Sequence, residues 1–117
     1  MAKVVDCLKA QGYQPSEAGA KYLVFRPIFT KEDSRAVQAT YNDVLPGGNS
    51  KRHSHVEEHV TFIVSGKGVL EGAEGVRVEL KAGMAIYFPP HDPHCFINTS
   101  DIPLVMFGLT GPVPGSY

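Results

Sequence analysis

A histidine-rich segment that passes directly into an apolar run occupies residues 47–66, which read GGNSKRHSHVEEHVTFIVSG. The run from residue 59 to residue 65 consists mainly of Val, Thr, Phe and Ile, and glycine stands at both ends of the segment. Residues of these types favour a strand, and the glycines favour turns beside it. The segment therefore predicts a short strand that begins at His59.

Short segments of the same kind recur along the rest of the chain. Twelve glycines and nine prolines interrupt the sequence too often for long helices. Turn-forming residues cluster at positions 46–49, 65–68, 81–83 and 89–93. Further strands are predicted at residues 21–29, 36–44, 52–56, 68–71, 76–80, 84–88, 94–98 and 104–109. Many short strands at regular spacing predict an all-β sandwich or barrel in a single domain.

The two ends of the chain differ from this middle part. Residues 1–20 are predicted to form an N-terminal arm, either as a helix, from the spacing of Val4, Val5 and Leu8, or as an edge strand. Residues 21–110 are predicted to form the barrel. Residues 111–117 contain two prolines and two glycines and are predicted to form an extended C-terminal tail.

Composition excludes several classes of protein. The chain has 117 residues, with 11 Lys and Arg against 12 Asp and Glu, and the basic residues are scattered, which argues against a nucleic-acid partner. The apolar runs are far shorter than the roughly 20 residues of a membrane helix. No signal peptide is recognisable at the N-terminus, so we expect a cytoplasmic protein. In that reducing compartment Cys7 and Cys95 are expected to stay unpaired.

All five histidines lie between positions 53 and 94. His53 and His55 are two residues apart, so on a strand both side chains point to the same face. His59 and His94 each begin a predicted strand. If those strands are neighbours in a barrel, four imidazoles converge on one interior point, and imidazole is a good ligand for several transition metals. The pattern favours a metal site over isolated surface or core histidines.

Two spaced motifs resemble those of the cupin superfamily. The first is Gly47-(x)5-His53-x-His55-(x)3-His59-(x)6-Gly66, and the second is Gly83-(x)5-Pro89-x-His91-(x)2-His94-(x)3-Asn98. The first motif usually has glutamate where this chain has His59, and the second usually has glycine where it has His91. The chain is therefore most similar to small single-domain cupins with four histidine ligands.

This resemblance implies a fold, a ligand set and an assembly. The fold is a cupin-type jelly-roll β-barrel, also called a double-stranded β-helix. The metal ligands are His53, His55, His59 and His94, and they hold one divalent transition metal, which is Fe, Mn, Ni, Cu or Zn. A small-molecule ligand or substrate binds in the mouth of the barrel. The expected assembly is a homodimer, for which the apolar residues on both faces of the strand at 60–64 also argue.

Several titratable side chains flank the predicted ligands. Glu57 and Glu58 are rival ligands beside His59, although the motif's spacing selects position 59. The candidate catalytic residues are Glu57, His91 and Tyr41, while Glu58, Asp92 and Arg26 are less favoured. His91 lies in a proline-rich loop, where an exposed turn residue is the simpler interpretation. Strand parity predicts that the barrel is lined mainly by apolar groups, with contributions from Thr61, Ile63 and Phe96.

Four neutral ligands would leave the charge of a divalent metal uncompensated, which favours an anionic, oxygen-donating ligand. We therefore expect a metal-dependent enzyme that acts on a small oxygenated organic molecule, with dioxygenase or oxidative-cleavage chemistry. The alternatives are an isomerase, lyase or cyclase, a non-catalytic small-molecule-binding cupin, and a structural zinc protein without an open metal position.

Overall fold

The computed structural model describes residues 1–112 and consists of antiparallel β-strands. Among these residues eight strands follow one another in the chain: β1 (Lys21–Phe29), β2 (Gln38–Asn49), β3 (His59–Ser65), β4 (Lys67–Glu71), β5 (Arg77–Lys81), β6 (Ala85–Phe88), β7 (Cys95–Ile97) and β8 (Leu104–Thr110). One turn of 3-10 helix, Ala73–Gly75, lies between β4 and β5. None of the helical structure in residues 1–112 has the length and hydrophobicity that a membrane span requires.

The strands form one curled sheet in the order β5-β4-β7-β2-β8-β3-β6. Strand β1 lies outside this order and pairs with β2. Strands that are distant in sequence are therefore neighbours: β8 lies between β2 and β3, and β7 lies between β2 and β4. This arrangement is the jelly-roll barrel of a single domain. The fold class predicted from the sequence is confirmed.

The predicted turn at 46–49 is wrong, because β2 continues through it to Asn49. Gly47 adopts a φ of +78°, which lets the strand bend without ending. At Gly48 the chain passes so close to β1 that a Cβ atom would lie 2.5 Å from the carbonyl oxygen of Lys21. Glycines that usually signal a turn here allow a bulged strand to bend around the barrel.

The strand predicted at 52–56 is also wrong: the segment is a loop with one isolated bridge, between His53 and His94. The reason lies in the opposing segment at 89–93, where three of the five residues are proline. Proline has no N–H to donate to a ladder, so pairing begins only at His94.

The remaining predictions concern the two ends of the chain. Residues 1–20 contain no α-helix, and Tyr13 forms an isolated β-bridge with Phe25 of β1 instead of a regular edge strand. The predicted tail at 111–117 lies outside the described residues from position 113 onward. The division into an arm at 1–20, a barrel at 21–110 and a tail stays a prediction.

Successive side chains along each strand point alternately to the inside and to the outside of the barrel. On β3, Thr61 and Ile63 are buried, and Phe96 next to His94 is buried as well, which confirms their predicted inward orientation. The residues of the opposite parity on β3, which are Val60, Phe62 and Val64, are each about two-fifths exposed. The inside is thus apolar at one end, and the histidines lie at the other.

Candidate metal centre

Three histidine side chains meet where the loop before β3 crosses the start of β7. The bridge between His53 and His94 brings their backbones together, with N–H to O distances of 3.2 and 2.9 Å, and their ring centroids lie 4.6 Å apart. The ring of His55 lies 5.5 Å from that of His53 and 5.4 Å from that of His94. One ring nitrogen of each residue lies within 4.8 Å of the others, which is close enough for a shared cation.

Each of these three rings is oriented by its own loop backbone. The Nδ1–H groups of His53, His55 and His94 donate to the carbonyl oxygens of Lys51, Glu57 and Asp92, at 2.7, 2.9 and 2.9 Å. A carbonyl can only accept, so Nδ1 carries the proton and Nε2 presents its lone pair. A hydrogen bond from the second ring nitrogen to a carbonyl is the usual support of a histidine that binds a metal.

The Nε2 atom of His94 is buried and has no hydrogen-bond partner. A buried acceptor without a partner costs stability unless something occupies the space in front of it. Three converging imidazoles and an unsatisfied lone pair fit a divalent transition metal, whose preferred ligands include neutral imidazole nitrogens.

His59, the fourth predicted ligand, borders this group without joining it. Its ring lies 5.5 Å from that of His55 and 5.4 Å from that of His94. Its Nε2 is 3.2 Å from the Thr61 hydroxyl, and its Nδ1 is buried with no partner. The structure therefore brings three of the four predicted ligands together, and the coordination by His59 stays a prediction.

Burial keeps His94 of the cluster and the bordering His59 neutral. Burial lowers the pKa of His59 from 6.5 to about 3, with a further contribution from the neighbouring His94, His55 and His53. Burial also lowers the pKa of His94. Because only a neutral imidazole can bind a metal, both rings are in the ligand form at neutral pH.

The cluster opens into a cavity of about 570 Å³ in the mouth of the barrel. Leu23, Phe96 and Met106 give it an apolar wall, and Thr40 and Asn42 on β2 add polar groups. A mostly apolar cavity with a few polar groups is typical of sites for small organic ligands.

The space beside His59 depends on a glycine in β8. A Cβ atom on Gly108 would lie 3.1 Å from the hydroxyl oxygen of Thr40 and 3.2 Å from Nε2 of His59. Both polar atoms thus surround a position that any side chain at residue 108 would occupy. Glycine at residue 108 therefore leaves the Thr40 hydroxyl and the His59 ring uncrowded.

Among the predicted catalytic candidates, Glu57 is the one that lines the cavity. One of its carboxylate oxygens lies 3.9 Å from Nδ1 of His55. Glu58 instead accepts a hydrogen bond of 2.8 Å from the hydroxyl of Tyr87, which belongs to the outward-facing parity of β6.

His91 and Tyr41 do not line the cavity as the structure describes it. His91 is exposed and has a φ of +64°, and its backbone N–H donates to the carbonyl oxygen of His55 at 2.7 Å. Tyr41 has the opposite parity to Thr40 and Asn42, and its ring lies 5.9 Å from the Arg26 guanidinium. Arg26 in turn pairs with Asp43 at 3.0 Å. Burial raises the pKa of Tyr41.

Two structural features of the site had no clear signal in the sequence. The arm contributes Tyr13, Pro15, Ser16 and Glu17 to the cavity wall, although pattern alone does not indicate where a chain end folds back. Ser50 is buried, and its hydroxyl oxygen accepts a hydrogen bond of 2.8 Å from the Phe96 N–H, which joins the end of β2 to β7. Cys95 is buried beside it, as expected of a small apolar residue.

Known proteins share this architecture and part of the sequence. A family model described as "Cupin domain" matches residues 41–110. Gentisate 1,2 dioxygenase 1 from Aquipseudomonas alcaligenes is 30% identical over 101 residues, which cover 83% of this chain and 29% of that protein. An uncharacterized protein from Methanocaldococcus jannaschii is 30% identical over 69 residues, which cover 57% of this chain and 54% of that protein. Both relatives are therefore matched over less than two thirds of their own length.

Two solved structures resemble the whole barrel. The polyketide cyclase RemF from Streptomyces resistomycificus superposes with a TM-score of 0.86 at 25% identity, over 95% of this chain and 80% of that one. A predicted oxalate decarboxylase from Thermotoga maritima superposes with a TM-score of 0.84 at 23% identity, over 94% of this chain and 99% of that one. The second likeness shows a shared fold.

Proposed function

This chain belongs to the cupin family, whose model matches residues 41–110, and from that premise we propose a metal-dependent enzyme that acts on a small oxygenated organic molecule. The observation that carries the proposal is the convergence of ring nitrogens from His53, His55 and His94 in the wall of a ligand-sized cavity. A fold alone does not define a reaction, so the proposal rests on this site.

We propose that these three histidines hold one iron, manganese, nickel, copper or zinc ion, with His59 as the fourth ligand. The unpartnered nitrogens of His94 and His59 support this assignment. Nε2 of His94 is a buried lone pair that a cation would satisfy, and Nδ1 of His59 presents a second one when the His59 proton is on Nε2, beside the Thr61 hydroxyl. When bound, such an ion supplies a Lewis acid and, for the redox-active metals, a route to dioxygen chemistry.

The protein groups around the cluster favour an oxygen-donating, anionic ligand such as an enolate, a diketonate or a catecholate. The close ligand group found among residues 1–112 is composed of histidines, so it brings no negative charge to a dication. The polar side chains of Thr40 and Asn42 would orient the ligand's remaining oxygens.

We propose Glu57 as the residue that accepts and returns the proton of a ligand hydroxyl. It lines the cavity and stands beside His55, whereas Glu58 is engaged with Tyr87. A carboxylate in hydrogen-bond reach of a bound hydroxyl is a suitable general base.

For the reaction itself we propose dioxygenase-type oxidative cleavage, in which both oxygen atoms of dioxygen enter the product. The similarity to a gentisate dioxygenase supports this reaction. A second candidate is cyclisation without an oxidant, which is favoured by the likeness to RemF over nearly the whole chain. The two candidates differ in whether oxygen is consumed.

Oxygen uptake and product mass test the proposal together. Protein loaded in turn with each of the five metals is offered gentisate, catechol and acetylacetone, in air and under nitrogen. We expect one metal form to consume oxygen and to yield a ring-opened product, or two fragments from acetylacetone, whose total mass exceeds that of the substrate by two oxygen atoms. His55→Ala should abolish this turnover, and the matched control Glu58→Gln should retain it.

Other outcomes are equally informative. A product that forms under nitrogen at the same rate supports the second candidate and overturns the dioxygenase assignment. Metal-dependent binding of every probe with no turnover contradicts an enzyme and leaves a small-molecule-binding protein.

We also propose that the protein is a homodimer, and that it acts in the cytoplasm as the sequence predicts. Val60, Phe62 and Val64 on β3 form a partly exposed apolar row with Leu109 of β8 beside Val60. Pairing of two such rows would remove this surface from water. Light scattering should give twice the monomer mass for the wild type and the monomer mass for Phe62→Glu.

A further inference from the structure

The arm is attached to the sheet on both sides of the stretch that borders the cavity. Tyr13 exchanges two backbone hydrogen bonds with Phe25, of 3.0 and 2.8 Å. Gly12 allows this close approach, because a Cβ atom there would lie 2.8 Å from Cγ of Arg26. At the other end of the stretch, the side-chain Nδ2 of Asn49 donates to the carbonyl oxygen of Gly19. The stretch between these attachments is thus held against the barrel.

This stretch forms part of the wall of the histidine-lined cavity. Pro15, Ser16 and Glu17 line that cavity, as does Tyr13. The ring of Tyr13 meets that of Phe25 edge to face, with centroids 5.6 Å apart, and 55% of the Tyr13 residue remains exposed. Two aromatic rings, one of them still largely open to solvent, therefore stand at the cavity's opening, where a further aromatic ring would find a surface to pack against.

The size of the cavity indicates what such a surface would contact. Its volume is about 570 Å³, whereas an engineered apolar cavity of roughly 150 Å³ accommodates one benzene molecule. A single oxygen-bearing ring at the histidines would leave most of the space empty. A ligand with several fused rings would fill the apolar interior and reach the opening.

We propose that Tyr13, held by the arm, is a specificity-determining residue that selects planar aromatic ligands of more than one ring. The oxygen-bearing end of the ligand lies at the histidines, and its far rings pack against the ledge of Tyr13 and Phe25. The orientation of the ligand in this inference rests on the proposed metal centre. The contribution of the ledge can be measured separately.

A ring-number series tests this inference with a constant pair of hydroxyl oxygens. Catechol, naphthalene-2,3-diol and anthracene-2,3-diol carry the same adjacent hydroxyls on one, two and three rings. Their dissociation constants are measured by calorimetry on zinc-loaded protein, since zinc has no redox chemistry. Zinc affinity is measured in the same variants, and circular dichroism verifies their folding.

We expect affinity to rise with ring number in the wild type. Tyr13→Ala should weaken anthracene-2,3-diol binding about tenfold while catechol binding changes little, because only the larger ligand reaches the ledge. Tyr13→Phe should bind all three probes as the wild type does. Leu8→Ala is the matched control, since Leu8 is an exposed arm residue outside the cavity wall. Zinc affinity should be the same throughout.

Unchanged anthracene-2,3-diol binding in Tyr13→Ala, or an equal loss for catechol and anthracene-2,3-diol, would overturn the inference, and so would a wild type that binds none of the probes. If anthracene-2,3-diol binds equally well without zinc and Tyr13→Ala still weakens it, the ledge stands and the metal centre of the proposed function fails.

Discussion

The loop histidines and the strand histidine of this site are held in different ways. His53, His55 and His94 lie in loops or at a strand edge, and each has its Nδ1 fixed by a backbone carbonyl. His59 begins β3, and its ring forms a hydrogen bond with the hydroxyl of Thr61 on the same strand instead of with a backbone carbonyl. The loops thus provide three oriented nitrogens, whereas the strand places an imidazole whose orientation depends on what fills the barrel.

This difference suggests a division of roles within one centre. Rings fixed by the backbone define where a cation binds, since their Nε2 atoms converge before any ion arrives. A ring held by one side-chain contact can complete the coordination with a small rotation. The loop group should therefore dominate affinity, and His59 should adjust it.

Removing one histidine from each region should give the largest effect. His55→Ala breaks the converging group, and the loss in zinc affinity should exceed the roughly 10- to 100-fold that removal of a supporting partner costs. His59→Ala leaves the three converging rings in place and should cost about tenfold. His91→Ala, which removes an exposed histidine, is the control and should bind zinc normally. Competition titration with a chromogenic chelator measures all three, and equal losses for His55→Ala and His59→Ala would contradict the division.

The pH dependence of stability should sharpen the comparison. In the metal-free protein the pKa of His59 is about 3, whereas in the unfolded chain it returns to about 6.5. Below pH 6.5 the unfolded chain therefore takes up a proton that the folded protein does not. His59 alone should therefore lower the free energy of unfolding by up to about 1.4 kcal/mol per pH unit as the pH decreases from 6.5 toward 3.

Urea denaturation of the metal-free protein at pH 7, 6 and 5 would measure this slope. His59→Gln should reduce it, and the remainder should come from His94, whose pKa is also lowered by burial. His91→Gln is the matched control and should keep the full slope. A stability that does not change between pH 7 and pH 5 would show that His59 is not buried as described.

The smallest effect concerns His91, which adopts a φ of +64° where cupins usually have glycine. Glycine adopts this conformation without steric cost, so His91→Gly should raise the free energy of unfolding by about 0.5 kcal/mol. Zinc affinity should not change, because the backbone hydrogen bond to His55 remains. Glu74→Gly offers a matched comparison at a φ of +56° in the 3-10 turn, outside the cavity wall. A fall in zinc affinity in His91→Gly would give the His91 imidazole a direct role in the site.

The sequence predicted those parts of the molecule that depend on local patterns. Strands β1 and β3 begin and end as predicted, because their apolar residues and flanking turns determine them. The resemblance to the cupin motifs also predicted the convergence of His53, His55 and His94. The strand at 52–56, from which the sequence placed His53 and His55 on one face, is a loop. Features that depend on packing between distant segments were missed or wrong.

Two examples show why. Gly47 and Gly48 suggested a turn, but their conformations serve a strand that bends beside β1, which only the paired sheet reveals. Tyr41 was a candidate for the cavity wall, but its neighbours Thr40 and Asn42, which point to the opposite face of β2, line the cavity instead. Hydrophobic alternation assigns the apolar face of a strand to the interior, and a ligand-binding barrel with polar walls departs from that rule.

The central claim is a metal centre with four histidine ligands, and X-ray absorption spectroscopy of the zinc-loaded protein tests it most directly. The method counts imidazole ligands from their multiple-scattering pattern at the zinc edge. We expect one zinc per chain with four imidazoles in the wild type and three in His59→Ala. The same imidazole count in both proteins, or no stoichiometric zinc in the wild type, would contradict the claim.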